Sequence, residues 1–211
     1  MKKLALIGSK EFACQIKGFA ESKGEFTVVG FFDDFVKKGT LIGGCPILGK
    51  ISEIESEYAA GQFDCVFLAA GYNNFQFREI VYNSLKGKVP FANIICKSAM
   101  ILKGVSLGEG VFIGGASVIG ENTVIGNNVF IHGGSEIGHD NHIGNHTYIS
   151  GRFNSAGFST IGERCFLGIC TLVSDHVTIC DDVWVGIGCI VIKDIKEPGK
   201  YMSNIKLLKI D

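Results

Sequence analysis

The sequence predicts two domains of different class: a small α/β domain over residues 1–96 and an all-β parallel β-helix over 97–195, followed by a tail over 196–211. Three observations carry this. A six-residue aliphatic period runs through the second half and is missing from the first. Short apolar runs alternate with helical patterns ahead of it. Glycine is abundant, 29 residues against 3 prolines, with no collagen-like period of three, so turns at regular intervals are expected.

In the first domain, residues 4–7, 26–32, 66–70 and 91–95 have the look of buried strands, and residues 11–21, 51–60 and 75–85 the look of helices. Strand and helix alternating at this spacing imply a small parallel sheet, about half of a dinucleotide-binding (half-Rossmann) fold. Residues 39–49 are expected to be a loop or hairpin insert, and the domain boundary to lie near Lys97.

In the second domain, counting in sixes from Ile101 through Ile119, Ile137 and Val173 to Val191 places Ile, Leu or Val in fifteen of sixteen slots, Ser155 being the exception. A period of six fits neither an α-helix nor a hairpin array. It fits short strands stacked at about 4.8 Å, three hexads to a coil, with the first and fifth places of each hexad facing the bore. The glycine that commonly follows the aliphatic residue, as at Gly120, Gly138 and Gly144, is expected to ease the backbone round each corner.

Composition excludes several classes. Hydrophobic residues make up 46% and charged residues 19%, which rules out a self-repelling disordered chain. A net charge of −1 offers no basic face for nucleic acid, and no apolar run reaches the roughly 18 residues of a membrane helix. The start Met1-Lys2-Lys3-Leu4 is read as a first strand rather than a signal peptide. Eight cysteines without a C-x-x-C are expected to be buried reduced thiols of a cytoplasmic protein.

Particular stretches carry a family resemblance. Phe31-Phe32-Asp33-Asp34, Gly71-Tyr72-Asn73-Asn74 with Arg78, Ile137-Gly138-His139-Asp140, Ala156-Gly157 and Gly186-Ile187 are similar to segments of the nucleotide-sugar N-acetyltransferases of the bacillosamine and perosamine type, grouped with sialic acid O-acetyltransferase-like proteins. The resemblance implies a left-handed β-helix and a homotrimer with active sites between subunits. It implies acetyl-CoA as co-substrate without a metal, and a nucleotide-linked amino sugar as acceptor. His139 would be the general base and Asp140 its orienting partner. Gly8, Asp33, Asp34, Asn73, Asn74 and Tyr148 would serve the sugar nucleotide; backbone amides at Gly157, Gly186 and Ile187 would face the coenzyme. The chain departs from the family pattern at Gly8-Ser9-Lys10-Glu11, where a second glycine is replaced, at Tyr148, which replaces a histidine, and at Ser203-Asn204-Ile205-Lys206-Leu207.

Each residue also has a plainer reading. His139 could be a solvated corner residue, Asp33 and Asp34 turn caps, and Asn73 and Asn74 helix caps. Tyr148 could serve trimer packing, and a lone helical arginine such as Arg78 ordinarily lies on a solvated face. Outward Phe112, Phe130 and Phe166 require cover, which a trimer would provide. Cys165 and Cys189, fifth in their hexads, are expected in the bore. Alternatives to N-acetyl transfer are sugar O-acetyl transfer by the same base, a non-catalytic trimeric nucleotide-sugar-binding protein, and a zinc lyase using His139, His142 and His146.

Overall fold

Six consecutive residues of strand β1 (Lys2–Ile7) end in four fully buried ones, Leu4 to Ile7, because the strand is central and covered on both faces. It pairs in parallel with β2 (Phe26–Phe32) on one side and with β5 (Cys65–Leu68) on the other. Helix α1 (Glu11–Ser22) makes the first crossover and buries Ala13, Ile16 and Ala20, one stripe at helical spacing. The insert forms a hairpin of β3 (Leu41–Ile42) and β4 (Cys45–Gly49), with β4 extending the sheet beside β2. A 3₁₀ turn (Ile51–Glu53) leads into α2 (Ile54–Ala59), and α3 (Phe75–Leu85) follows β5. The sheet order β3-β4-β2-β1-β5 is that of a half-Rossmann domain. The structure is a computed structural model and describes residues 1–71 and 74–204.

The remainder is a left-handed β-helix of mostly two-residue rungs in three parallel sheets. Rungs pair 18 residues apart, as in Ile119 with Ile137, Ile137 with Ser155 and Ser155 with Val173. First-place residues from Ile113 to Val191 are buried in the bore, joined there by fifth-place residues such as Val111, Val129, Phe153, Cys165 and Cys189. Polar fifth-place residues are satisfied by carbonyls of the next coil: the Thr123 hydroxyl donates to Gly138 O at 2.8 Å and the Thr147 hydroxyl to Gly162 O at 2.7 Å. Ser155, in an aliphatic slot, accepts from the Asn141 side chain at 3.2 Å.

The β-helix is longer than its repeat suggests. Ile94–Ile95 already forms a rung on Phe112–Ile113, ahead of the boundary expected near Lys97, and Gly199–Tyr201 adds a strand to Val183–Val185 within the expected tail. Residues 205–207 of the altered C-terminal motif lie outside the described residues.

Two expectations are corrected here. The left-handed backbone of each corner falls at the fourth place of the hexad, at Asn122, Asn128, Asp140, His146, Phe158 and His176 among others, not at the second-place glycine. That glycine answers to the neighbouring coil: a Cβ on Gly120 would lie 2.5 Å from the Gly138 carbonyl carbon, and one on Gly144 2.5 Å from that of Gly162. Nor does the outward aromatic row call for another subunit. Phe112, Phe130, Tyr148 and Phe166 share a buried cluster with Leu4, Leu6, Ala13 and Ile16, so the chain's own α1 and sheet cover that face. Phe19 meets Phe112 and Phe12 meets Phe130 at 5.4 and 5.5 Å between ring centroids.

Candidate functional site

Two separate features hold the residues singled out above. The first is a cleft of about 350 Å³ where β1, β2 and β5 end, lined by Gly8, Ser9, Phe12, Asp33, Asp34 and Gly71 among others. Crevices outside the carboxyl ends of parallel strands are where open α/β sheets take ligands. Gly8 has φ +99°, and a Cβ there would meet the Ala69 carbonyl oxygen at 3.2 Å, so the β1–α1 turn needs a glycine.

Asp33 is 8% exposed and largely consumed by the fold: it accepts from the Ser9 hydroxyl at 2.6 Å and from the Phe35 amide at 2.9 Å. Ser9 thus ties the β1–α1 turn to the end of β2. Asp34 accepts from the Ile51 amide at 2.9 Å. Both aspartates therefore act as local caps that shape the cleft wall. Asn74 is the N-cap of α3, its side-chain oxygen accepting from Phe77 N at 2.9 Å; Asn73 lies outside the described residues.

The second feature is one corner of the β-helix. His139 and Asp140 are adjacent in sequence, and on a strand they would point to opposite faces. The left-handed φ of +55° at Asp140 folds the corner back, and His139 Nδ1 lies 2.9 Å from Asp140 Oδ2. A carboxylate only accepts, so Nδ1 carries a proton, and in the neutral ring Nε2 keeps its lone pair. The Asn122 amide donates to the other Asp140 oxygen at 3.3 Å, one coil away. Gly157, one coil on, lies directly against the imidazole: a Cβ there would come within 2.6 Å of Cε1 and 2.7 Å of Nε2.

The coil ladder uses the backbone N–H groups of the second, fourth and sixth places and passes over the third. His139, Gly157 and Ile187 are third-place residues, so the Gly157 and Ile187 amides stand outside the ladder. The Gly186 amide does not: it donates to Tyr201 O at 2.8 Å, which corrects its expected role as a coenzyme-facing donor.

The seam between the domains holds what sequence reasoning placed elsewhere. Arg78 is fully buried rather than solvated, because α3 lies on the β-helix. It donates to Ala70 O at 2.7 Å and to the Asn128 backbone and side-chain oxygens at 2.6 and 2.9 Å, with its guanidinium 4.5 Å from the Phe130 ring centroid. Burial lowers its pKa to about 9, which leaves it charged at neutral pH. Asn128 also contacts His146 Nδ1 at 3.0 Å, and burial together with Arg78 depresses that imidazole to about 4. Tyr148 is buried in the same seam, its hydroxyl 2.5 Å from His132 Nε2, and the structure does not bring it to His139. The zinc reading loses its third ligand: His146 is buried in the seam against Asn128, while His139 and His142 are exposed.

Comparison with known proteins agrees with this layout. Residues 3–85 match the PglD N-terminal domain family and residues 116–151 the bacterial transferase hexapeptide family. The fold superposes on perosamine N-acetyltransferase from Caulobacter crescentus, solved as a histidine variant with CoA and GDP-perosamine, with a TM-score of 0.88 at 25% identity over 100% of this chain and 98% of that one. The acetyltransferase domain of PglB from Neisseria gonorrhoeae gives 0.86 at 22% identity over 97% and 98%. Among curated relatives, UDP-3-O-acylglucosamine N-acyltransferase of Bordetella avium is 39% identical over 104 residues, 47% of this chain and 29% of that protein. The chain thus spans less than a third of that relative's length. It joins a segment similar to the PglD N-terminal domain to a segment of hexapeptide repeats, in a fold like that of perosamine N-acetyltransferase.

Proposed function

We propose that the protein transfers an acetyl group from acetyl-CoA to the amine of a nucleotide-linked amino sugar. The observation that carries this reading is the exposed His139–Asp140 pair, with a ladder-free glycine amide one coil away. Direct acyl transfer needs those parts: a base for the amine proton, a donor for the thioester oxygen and fixed positions for both. The amine attacks the thioester carbonyl carbon as His139 Nε2 takes its proton. Asp140 steadies the resulting imidazolium, and the Gly157 amide faces the oxygen that gains charge. Collapse of the tetrahedral intermediate breaks the carbon–sulfur bond, and the imidazolium returns the proton to the departing thiolate. No covalent enzyme intermediate is needed.

The sugar nucleotide is assigned to the cleft at Gly8, with Asp33 and Asp34 shaping its wall. Neither His139 nor Asp140 lines that cleft, so an active site between subunits of a homotrimer is the arrangement we favour. Exposed Leu172 and Ile190 stand on adjacent rungs of the β-helix face that carries the His139 corner, beyond the polar rungs of Glu136 and Asn154, and this apolar pair suits a subunit contact. Under this reading Ile187, two-thirds exposed, meets the coenzyme, and the reaction takes place in the cytoplasm. Tyr148 contributes by holding the seam that fixes the cleft. The likeness to perosamine N-acetyltransferase and to UDP-3-O-acylglucosamine N-acyltransferase supports N-acyl over O-acyl transfer.

The test is free-thiol release from acetyl-CoA against UDP-, dTDP- and GDP-linked 3-amino and 4-amino sugars and their hydroxyl counterparts. An enzyme-only blank accounts for the eight cysteines. Turnover with one amino sugar that falls at least ~100-fold in His139→Asn is the expected result. Turnover only with hydroxyl sugars would assign O-acetyl transfer, and nucleotide-sugar binding without turnover would leave a binding protein.

A further inference from the structure

We infer that Phe158 is a positioning residue for His139, holding the imidazole in the plane and tautomer that present Nε2 to the acceptor. This rests on the reading of His139 as base. The His139 side chain is 55% exposed, and an imidazole so exposed ordinarily samples several rotamers. Three contacts limit it here. Asp140 holds Nδ1, Gly157 closes one side, and Phe158 stands against the ring edge to face, with centroids 5.0 Å apart and planes at 89°. Such perpendicular packing is the preferred geometry of aromatic pairs.

Packing of the fold does not account for this phenylalanine. Phe158 is 52% exposed, yet it adopts a left-handed φ of +59°, a conformation uncommon for bulky side chains. Of the eleven non-glycine residues with positive φ among the described residues, it is the one phenylalanine. Its own orientation is fixed from two directions. The Phe158 amide donates to the His139 carbonyl at 3.1 Å, which locks the two residues in register across adjacent coils. His176, a further coil on, stacks on its ring at 5.0 Å with planes 5° apart. The base therefore stands against a two-coil aromatic shelf whose outer member touches no part of the cleft.

The experiment compares the full-length protein with Phe158→Ala and Phe158→Tyr, labelled with ¹⁵N-histidine. The His139 signals are assigned by their loss in His139→Asn. Wild type and Phe158→Tyr should show His139 as the single Nδ1–H tautomer, and Phe158→Ala a mixture. With the amino sugar that turns over in the thiol-release assay, kcat of Phe158→Ala should fall about 10-fold while the KM for each substrate stays within about twofold, and Phe158→Tyr should restore kcat. An unchanged tautomer or an unchanged kcat in Phe158→Ala overturns the inference, as does a loss confined to KM, which would make Phe158 a binding wall. Should no acceptor turn over, the tautomer alone decides. A fully active His139→Asn would instead remove the base itself, a separate failure.

Discussion

At the scale of single residues, the His139 corner depends on one absent side chain. Gly157 needs no special backbone, and its cost to the chain lies in the imidazole that occupies the space where a Cβ would be. Gly157→Ala should therefore fold with a nearly unchanged melting temperature and lose at least about 10-fold in kcat, because the ring must move away from its working position. His139 and Asp140 were legible from their order and their hexad places. Their pairing was expected if a corner brought them together, and the left-handed φ at Asp140 is the backbone feature that does so, where neighbouring strand residues would diverge. The aspartates at the cleft were legible as acidic residues after β2. Their partners, Ser9 and the Phe35 and Ile51 amides, come from segments that approach only once the sheet has formed.

At the scale of elements, the six-residue period identified the bore without difficulty, because both inward places repeat a chemical type. It misassigned the corner. Gly follows the aliphatic residue so often that a turn seemed its purpose, whereas the fourth place makes the turn and the glycine admits the next coil. Gly144→Ala forces a methyl to within 2.5 Å of backbone, and unlike a side chain that backbone cannot swing aside. We expect it to lower stability by about 2–3 kcal/mol in urea unfolding. Gly18→Ala in α1, where a Cβ would meet nothing within 4 Å, should raise stability by about 0.5–1 kcal/mol. Equal effects of the two would contradict this account of the hexad glycine.

At the scale of the whole molecule, the seam is a polar lock set in an aromatic surround, and single-sequence reasoning had no access to it. Arg78 sits in a helix whose pattern suits solvent, and only docking of α3 on the Asn128–His146 corner buries it. Arg78→Met should cost about 1–3 kcal/mol, since the Ala70 and Asn128 oxygens lose their donor without replacement. The single tryptophan, Trp184, is stacked on Phe166 in the seam cluster and should report the loosening by fluorescence. The same lock sets an acid limit. His146 has its pKa lowered from 6.5 to about 4 on folding, so the unfolded chain binds the extra proton between those values. Stability contributed at neutral pH is thus lost as pH falls through that window, by up to about 3 kcal/mol for this group. His132, also lowered by burial, acts in the same direction. His146→Asn, suited to the left-handed φ of +62°, should flatten the fall of the urea midpoint below pH 6.5 without abolishing it. The stacking of coils has an evolutionary consequence as well. The residues beside His139 are spaced at intervals of 18 in the chain, at Asn122, Asp140, Phe158 and His176, and none of them fills the bore. Under the proposed function, each can be exchanged without disturbing the rod, so new acceptors can be explored one rung at a time along a single edge while the folding information stays in the interior.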